Sequence, residues 1–361
     1  GDSSQRNFGR GFTHNYNLYL YSTGTSTSSL ILVLPDGGSV KFDRTATSPI
    51  SGFSGATFVH GGTPSIYRGA RITFQNSTLI LALRTGEKYK FNAEYSLHGY
   101  PLSEYVDRNG NALRLTLVGH SSEASYLRQI QAITSPNGRS VTFTYASGSK
   151  TRITKITDDA GRVTQYDYDA TGTYLTKVTY PDGSTEQYTY SGVKMASVIN
   201  GRGITVVTNT YDSTTGRVSQ QVHADSGIYK FSYTNDASGR IASTNITDPL
   251  NVVERLEFDS AGYVIKDTRA LGTAKEQVTS YVRDSSSHLP SSMTDPLGRT
   301  TTFSYDSSWN LAAITRLSGT ANAVTTSMSF DSTFNQLLSA TDPLNHTTTL
   351  TRDANGNLEK I

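Results

Sequence analysis

The sequence has 361 residues and a formal net charge of +2, and 35% of its residues are hydrophobic, 22 tyrosines among them. No cysteine is present, which excludes disulfides and thiolate metal sites. The interspersed charges exclude the basic footprint of a nucleic-acid-binding protein, and no apolar run approaches the roughly 18 residues of a membrane-spanning helix. The composition therefore predicts thin β structure with solvated faces rather than thick globular cores.

The first section of the chain predicts short strands that are out of phase with the rest. A Pro-Asp-Gly-Gly turn at residues 35–38 between two apolar runs indicates a hairpin. Residues 44–70 read as an irregular connection. An opening strand is predicted from Phe12, Tyr16, Leu18 and Leu20, and further strands at residues 71–74, 79–83 and 89–91. We assign residues 1–104 to an N-terminal β domain that caps the remainder of the chain.

Residues 168–190 contain the unit that recurs through the rest of the chain. They predict a turn at residues 169–172, a strand, a Pro-Asp-Gly turn at residues 181–183, and a second strand. The strands are rich in Thr, Tyr and Val, which suit a pleated and half-buried surface. The unit is a β-hairpin.

An aromatic or long side chain ends a strand of each copy at intervals of 21 to 25 residues. A turn at residues 107–111 sets the phase, and its Asn-Gly pair favours type I′. Residues 105–361 are therefore predicted to be a tandem array of antiparallel hairpins. The anchor positions are Tyr145, Tyr168, Tyr190, Tyr211, Tyr233, Phe258, Tyr281, Tyr305, Phe330 and Arg352.

A longer period and a two-faced pattern accompany this repeat. Thr-Asp-Pro-Leu begins at Thr247, Thr294 and Thr341, each 47 residues apart. Within strands such as residues 229–233, bulky residues alternate with Ser, Thr or Lys. One face of the sheet is therefore predicted to be aromatic and the other to carry hydroxyls.

These motifs resemble the RHS or YD-repeat family. The resemblance rests on Y-D-A-T-G-T-Y-L-T-K-V-T-Y-P-D-G at residues 168–183, T-D-P-L-G-R-T-T-T-F-S-Y-D at residues 294–306 and F-G-R-G-F-T-H-N-Y at residues 8–16. It implies a curved, superhelical β-sheet wound into a shell around a C-terminal toxin domain of the same polypeptide. The core motif that ends the shell and supports self-cleavage in many family members is not present in this sequence, and residues 355–361 end within a repeat. We therefore expect the array to be truncated at its C-terminus.

No catalytic, cofactor-binding or metal-binding residue is predicted. The histidines His14, His60, His98, His120, His223, His288 and His346 lack metal-ligand spacing. The Asp-rich turns lack the closing Glu of an EF-hand, and the glycines around Arg10 and Arg202 precede no helix, as a phosphate loop requires. Trp309 is expected to pack onto a neighbouring hairpin.

The leading interpretation is a non-catalytic shell segment of a secreted or surface-displayed bacterial RHS toxin protein. Its expected partners are the C-terminal toxin domain and secretion-apparatus proteins, without nucleic acid or a membrane-spanning segment. A surface adhesion or carbohydrate-binding module is the alternative, because tyrosine rings stack on sugars. A β-propeller glycosidase is a third, since the 47-residue period is close to that of a propeller blade of about 40 to 45 residues.

Overall fold

The computed structural model describes residues 5–22, 28–45, 52–63, 65–93, 99–118, 129–149 and 151–361. These residues form antiparallel strands and turns without a helix, which confirms the all-β prediction. Accordingly, this part of the chain has no helix that could cross a membrane. Two compact units are present: Gly1–Thr185 with Asp331–Gln336 and Arg352–Lys360 form the first, and Glu186–Phe330 with Leu337–Thr351 and Ile361 form the second. The boundary predicted after residue 104 remains a prediction.

The first sixteen strands lie in the first unit. They are β1 (Gln5–Arg6), β2 (Gly9–Arg10), β3 (Tyr19–Ser22), β4 (Ser29–Val33), β5 (Ser39–Arg44), β6 (Thr57–Val59), β7 (Arg71–Gln75), β8 (Thr78–Ala82), β9 (Lys88–Asn92), β10 (Tyr100–Val106), β11 (Ala112–Leu117), β12 (Ile130–Thr134), β13 (Ser140–Tyr145), β14 (Ile153–Asp158), β15 (Val163–Tyr168) and β16 (Leu175–Thr179).

The remaining strands come next in chain order. They are β17 (Thr185–Ser191), β18 (Lys194–Ile199), β19 (Thr205–Tyr211), β20 (Val218–His223), β21 (Ile228–Asn235), β22 (Ile241–Thr247), β23 (Val253–Phe258), β24 (Val264–Arg269), β25 (Gln277–Arg283), β26 (Pro290–Thr294), β27 (Thr300–Tyr305), β28 (Leu311–Arg316), β29 (Val324–Phe330), β30 (Leu337–Thr341), β31 (Thr347–Thr349), β32 (Thr351–Arg352) and β33 (Leu358–Lys360).

Strands β3 to β10 form a closed ring in which each strand pairs with the next. The ring closes where Tyr100 and Pro101 of β10 pair with Leu20 and Tyr19 of β3. Strand β6 lies within the stretch that we predicted to be irregular. The opening strand begins at Tyr19, later than the sequence pattern predicted.

A hydrophobic core fills this ring. Alternate residues of each strand point inward, so Leu30 and Leu32 of β4 and Phe42 of β5 are fully buried. The prediction against thick cores was wrong here, because composition averages over the whole chain while the apolar side chains are concentrated in this ring.

The array of hairpins begins at β10, whose outer half also pairs with β11. Glu104 marks this branch, because it lies opposite both Lys90 of β9 and Arg114 of β11 and forms ion pairs with them at 2.6 and 3.3 Å. From β11 onward, sequential antiparallel pairing with short turns continues within each unit. The predicted tandem hairpins are confirmed.

The turn at residues 107–111 is not of the type I′ form that we predicted. Asp107 N–H donates to the Asn111 carbonyl and Gly110 N–H donates to the Asp107 carbonyl, at 3.0 and 3.1 Å. Gly110 has φ +87°, whereas Asn109 does not enter the left-handed region that type I′ also requires there. The turn is a five-residue one with a single left-handed position.

Candidate interaction surface

A β-bulge recurs once in each two-strand repeat from β13 to β30 and sets the phase of the array. At each bulge the register shifts by one residue, so that a strand-ending residue faces the first residues of the next strand. Seven of the predicted anchors occupy this position, but in two hairpins it belongs to Asn235 and Arg283, two residues after the predicted Tyr233 and Tyr281. The bulge pairs are Tyr145–Ile153, Tyr168–Leu175, Tyr190–Met195, Tyr211–Val218, Asn235–Ile241, Phe258–Val264, Arg283–Pro290, Tyr305–Leu311 and Phe330–Leu337.

Anchor tyrosines donate their hydroxyls to a backbone carbonyl of the preceding hairpin. Tyr211 donates to Met195, Tyr233 to Val218 and Tyr305 to Pro290, at 2.7, 2.8 and 2.8 Å. Tyr145 and Tyr168 donate to Ile130 and Ile153 in the same way. Burial raises the pKa of Tyr145 to about 12. These hydroxyls are therefore committed to holding neighbouring hairpins together.

Arginine takes over this role in one hairpin. Arg283 Nε donates to the Val264 carbonyl at 2.9 Å, and its guanidinium carbon lies 5.4 and 5.8 Å from the ring centroids of Tyr263 and Tyr281. The contact explains why the repeat continues in phase without an aromatic residue at the bulge.

Aspartates at the turns accept hydrogen bonds from backbone N–H groups two to four residues ahead. Asp284 Oδ1 accepts from the N–H groups of Ser287 and Ser286 at 2.7 and 3.1 Å, and these bonds with the two serine hydroxyls lower its pKa to about 2. A backbone N–H donor is also the largest cause of a lowered pKa at Asp212, Asp236 and Asp342. At five other turn aspartates the largest cause of the lowered pKa is a side-chain donor of the same turn, and backbone N–H groups add to it: Asp107, Asp158, Asp182, Asp295 and Asp353. The turn carboxylates are thus structural.

The second unit is a sheet with little covering on either face. Its described residues include no fully buried hydrophobic side chain. The bulky side chains at alternate positions of each strand lie opposite one another on neighbouring strands, including Phe231 with Ile246, Tyr281 with Met293 and Phe303 with Ile314. We call this side the aromatic face. Its residues are half-buried, which leaves an apolar surface available for contact.

In the first unit, the N-terminal residues cover the same face. Phe8 is 8% exposed and its ring lies 4.6 Å from that of Tyr166. The Asn7 carbonyl accepts from Ile153 N–H, and Arg10 N–H donates to the Thr173 carbonyl, both at 2.8 Å. Sequence reasoning assigned these residues only to the family motif and missed their contact with the array. Their spacing from the repeats, more than a hundred residues, gives no sequence signal of it.

Side chains that could bind a metal or act in catalysis are spread over the described residues. The described residues contain no group of three or more potential metal-ligating side chains. Burial lowers the pKa of His14 to about 4, so this imidazole is neutral at physiological pH. His60 is bonded to Lys41 and Thr63, His223 lies on Tyr229, His288 stacks on Tyr263 and His346 pairs with Asp342. His98 and His120 lie outside the described residues.

Among the described residues, Glu254 is a carboxylic acid with a raised pKa. The pKa of Glu254 is raised by burial first, then by the neighbouring charge of Asp267, with which it shares a hydrogen bond, while Arg269 opposes the shift. Retaining and inverting glycosidases hold their two carboxyls at least about 5 Å apart so that a sugar fits between them. The hydrogen-bonded pair in this chain leaves no such space. The glycosidase interpretation therefore gains no support from this pair.

Trp309 lies within its turn. It occupies the left-handed position of the turn, with φ +65°, where most turns have glycine or asparagine and two have Ser226 and His288. The Thr-Asp-Pro-Leu turns present Leu250, Leu297 and Leu344 at 81, 76 and 74% exposure.

Comparison with known proteins gives one family match. The RHS Repeat model matches residues 149–185 and 283–321. No curated protein matches the sequence.

Solved structures with a similar chain path include toxin complexes. A mutant Photorhabdus luminescens Tc holotoxin pore is 13% identical over 92% of this chain and 21% of that chain, with a TM-score of 0.45. The TcdB2-TccC3 complex is 14% identical over 92% of this chain and 22% of that chain, with a TM-score of 0.46. The present chain spans about a fifth of their length. The family model thus identifies RHS repeats at residues 149–185 and 283–321, within the observed array of hairpins.

Proposed function

We propose that this chain is a non-catalytic wall segment of a bacterial RHS toxin protein and encloses an effector located C-terminally in the same polypeptide. The observation that carries the proposal is the second unit, where one layer of hairpins is held by its neighbours rather than by a buried centre. Each interface in such an array contributes its own stability. A wall of this kind can surround a space without a second layer behind it.

The contacts support a structural rather than a catalytic role. Tyrosine hydroxyls bind carbonyls of adjacent hairpins, and aspartates bind turn amides, so that the polar groups most often used in catalysis are occupied. We further propose secretion or surface display, with secretion-apparatus proteins as partners. Fractionation of the producing cells tests that location.

Protease protection tests the enclosure. The native polypeptide that contains this chain is digested across a urea series, and the effector region is followed by mass spectrometry. We expect the effector to resist cleavage until the wall unfolds, and to lose protection at lower urea when Tyr211, Tyr233 and Tyr305 are all changed to Phe. Cleavage of the effector at equal rates with the wall folded and unfolded would refute the proposal.

Glycan binding is the second candidate, favoured by the exposure of Tyr180. This residue is 41% exposed, whereas the anchor rings lie half-buried in the sheet and the Tyr263 ring is stacked on His288. Stacking on a sugar requires an accessible ring face. Glycan-array binding that is lost in Tyr180→Ala would establish this function, and an array without signal would remove it.

A further inference from the structure

The N-terminal residues show how an extended chain lies across the hairpins. The Asn7 carbonyl contacts Ile153, the first residue of β14, and Arg10 N–H contacts Thr173, just before β16. Strands β14 and β16 are one hairpin repeat apart, which is about 10 Å because it covers two strand spacings. Three extended residues also span about 10 Å. An extended chain thus advances three residues for each repeat that it crosses.

Close approach of this segment requires a glycine between its contacts. A Cβ on Gly9 would lie 2.7 Å from the Thr173 carbonyl oxygen, and Gly9 has φ +85°. Phe8 precedes it and packs on Tyr166. The pattern of contact is therefore an aromatic residue, a glycine and a third residue for each repeat.

Covering by this segment coincides with full burial of the residues beneath it. At the bulge-partner position, Ile153 is 0% and Leu175 is 2% exposed, and Val178 beside them is 6% exposed. The second unit has apolar residues at the same position in every hairpin, and each is only half-buried. We call them the apolar row: Met195, Val218, Ile241, Val264, Pro290, Leu311 and Leu337.

A cleft lies at one member of the apolar row. It has a volume of about 370 Å³ and is lined by Ile241, Thr244, Phe258, Arg240 and the turn at residues 259–262. Ile241 corresponds to Ile153 in the repeat, and the turn corresponds to residues 169–172. The cleft therefore lies at the part of the repeat that residues 7–10 cross in the first unit, between the counterparts of Ile153 and of the turn at residues 169–172.

Positive side chains lie at the ends of the turns beside this row. The Lys194 ammonium is 4.9 Å from the Tyr211 ring centroid, and the Arg217 guanidinium is 5.3 Å from that of Tyr233. Arg217 also bonds to the Asn235 side chain at 2.8 Å. The charge of Lys194 acts on Asp212, whose pKa is lowered first by hydrogen bonds from Thr215 and further by this ammonium. Arg240, the next in the series, is already paired with Asp236 at 3.0 Å.

We propose that the apolar row of the second unit binds an extended polypeptide segment of polyproline II geometry. Its three residues per turn place an apolar side chain on the row at every third residue, with carboxylates between them. The inference rests on the proposed function, since it specifies the kind of segment that the wall contacts. Apolar side chains enter clefts such as that at Ile241, glycines allow the backbone to approach the turns, and carboxylates meet Lys194 and Arg217. Binding adds a covering to this face as residues 7–10 do in the first unit.

Titration with a labelled peptide tests the proposal. The probe is five repeats of Phe-Gly-Glu carrying fluorescein, and binding to the full chain is followed by anisotropy. We expect saturable binding, no binding of the Ser-Gly-Glu counterpart, and weaker binding of the Phe-Gly-Lys counterpart, with the difference reduced by salt. Ile241→Ser should weaken binding about fivefold, which corresponds to about 1 kcal/mol.

Matched variants separate this surface from a general effect. Val282 is 62% exposed on the opposite face, so Val282→Ser removes an apolar side chain of similar size and should leave binding unchanged. Lys194→Glu keeps the apolar row intact and should invert the preference between the Glu and Lys peptides. Hydrogen exchange should show new protection at β22 to β24 with the Phe-Gly-Glu peptide bound.

Three results would overturn the inference. The first is that the Ser-Gly-Glu peptide binds as tightly as the Phe-Gly-Glu peptide, and the second is that Val282→Ser weakens binding as much as Ile241→Ser. The third is that the folded full chain does not bind the Phe-Gly-Glu peptide. Its failure is distinguishable from that of the enclosure. If the effector is protected from protease but the peptide does not bind, only this inference is lost. If the peptide binds and the effector is cleaved freely, only the enclosure is lost.

Discussion

Removal of one anchor hydroxyl tests how neighbouring hairpins are held together. Tyr233 donates to the Val218 carbonyl at 2.8 Å across a repeat, and Tyr233→Phe deletes that bond with little change in volume. Because a net intramolecular hydrogen bond contributes about 1 kcal/mol, we expect the free energy of unfolding of the second unit to fall by about that amount. At a urea dependence of roughly 2 kcal/mol/M, the midpoint should move down by about 0.5 M.

The chain supplies both a reporter and a control for this measurement. Trp309, the single tryptophan, lies in the second unit, so its fluorescence reports the unfolding of that unit. Tyr229 lies on the same strand and the same face as Tyr233, and its ring contacts His223, but its hydroxyl donates to no backbone carbonyl of the described residues. Tyr229→Phe should therefore leave the midpoint nearly unchanged.

Additivity extends the test along the array. Tyr211 and Tyr305 make equivalent bonds in other hairpins, and well-separated substitutions usually add. The triple Phe variant should therefore lose about 3 kcal/mol. Equal midpoints for Tyr233→Phe and Tyr229→Phe, or a triple variant no weaker than the single one, would refute the reasoning that the hydroxyls hold the repeats together.

Three further predictions concern the covering segment, the turns and acid. Phe8→Ala should destabilise the first unit by about 3 kcal/mol, because it empties a buried aromatic site, and calorimetry with hydrogen exchange at β14 and β16 should show it; unchanged protection there would contradict it. Ala270 and Gly272 both have positive φ, so Ala270→Gly should be neutral or stabilising while Gly272→Ala costs about 1 kcal/mol in urea unfolding; a gain in Gly272→Ala would contradict this. Folding lowers the pKa of turn aspartates, in Asp284 to about 2, so their stabilisation is present above an unfolded pKa of about 4 and is lost as the pH falls towards 2. Urea midpoints should decline over that range, and midpoints independent of pH would contradict the assignment.

The sequence by itself determined the repeat and its local chemistry. Asp and Gly at fixed offsets specify the turns because they act within five residues, and alternating Tyr and Thr specify the two faces because side chains alternate along a strand. This local information predicted the all-β fold and the hairpin array. The apolar row can also be located in the sequence, because an apolar residue lies five to eight positions after each bulge residue.

Only the tertiary structure decided the contacts between distant residues. The ring closes by pairing Tyr100 with Leu20, and residues 7–10 cover hairpins that lie more than a hundred residues later. The structure also decided that Asn235 and Arg283 occupy the bulge position, because in each strand the tyrosine two residues earlier fits the local sequence pattern equally well. Such contacts depend on which surfaces meet after the strands have paired, and a periodic sequence offers many equivalent surfaces. The repeat therefore specifies each hairpin, while non-local packing decides which hairpins are covered.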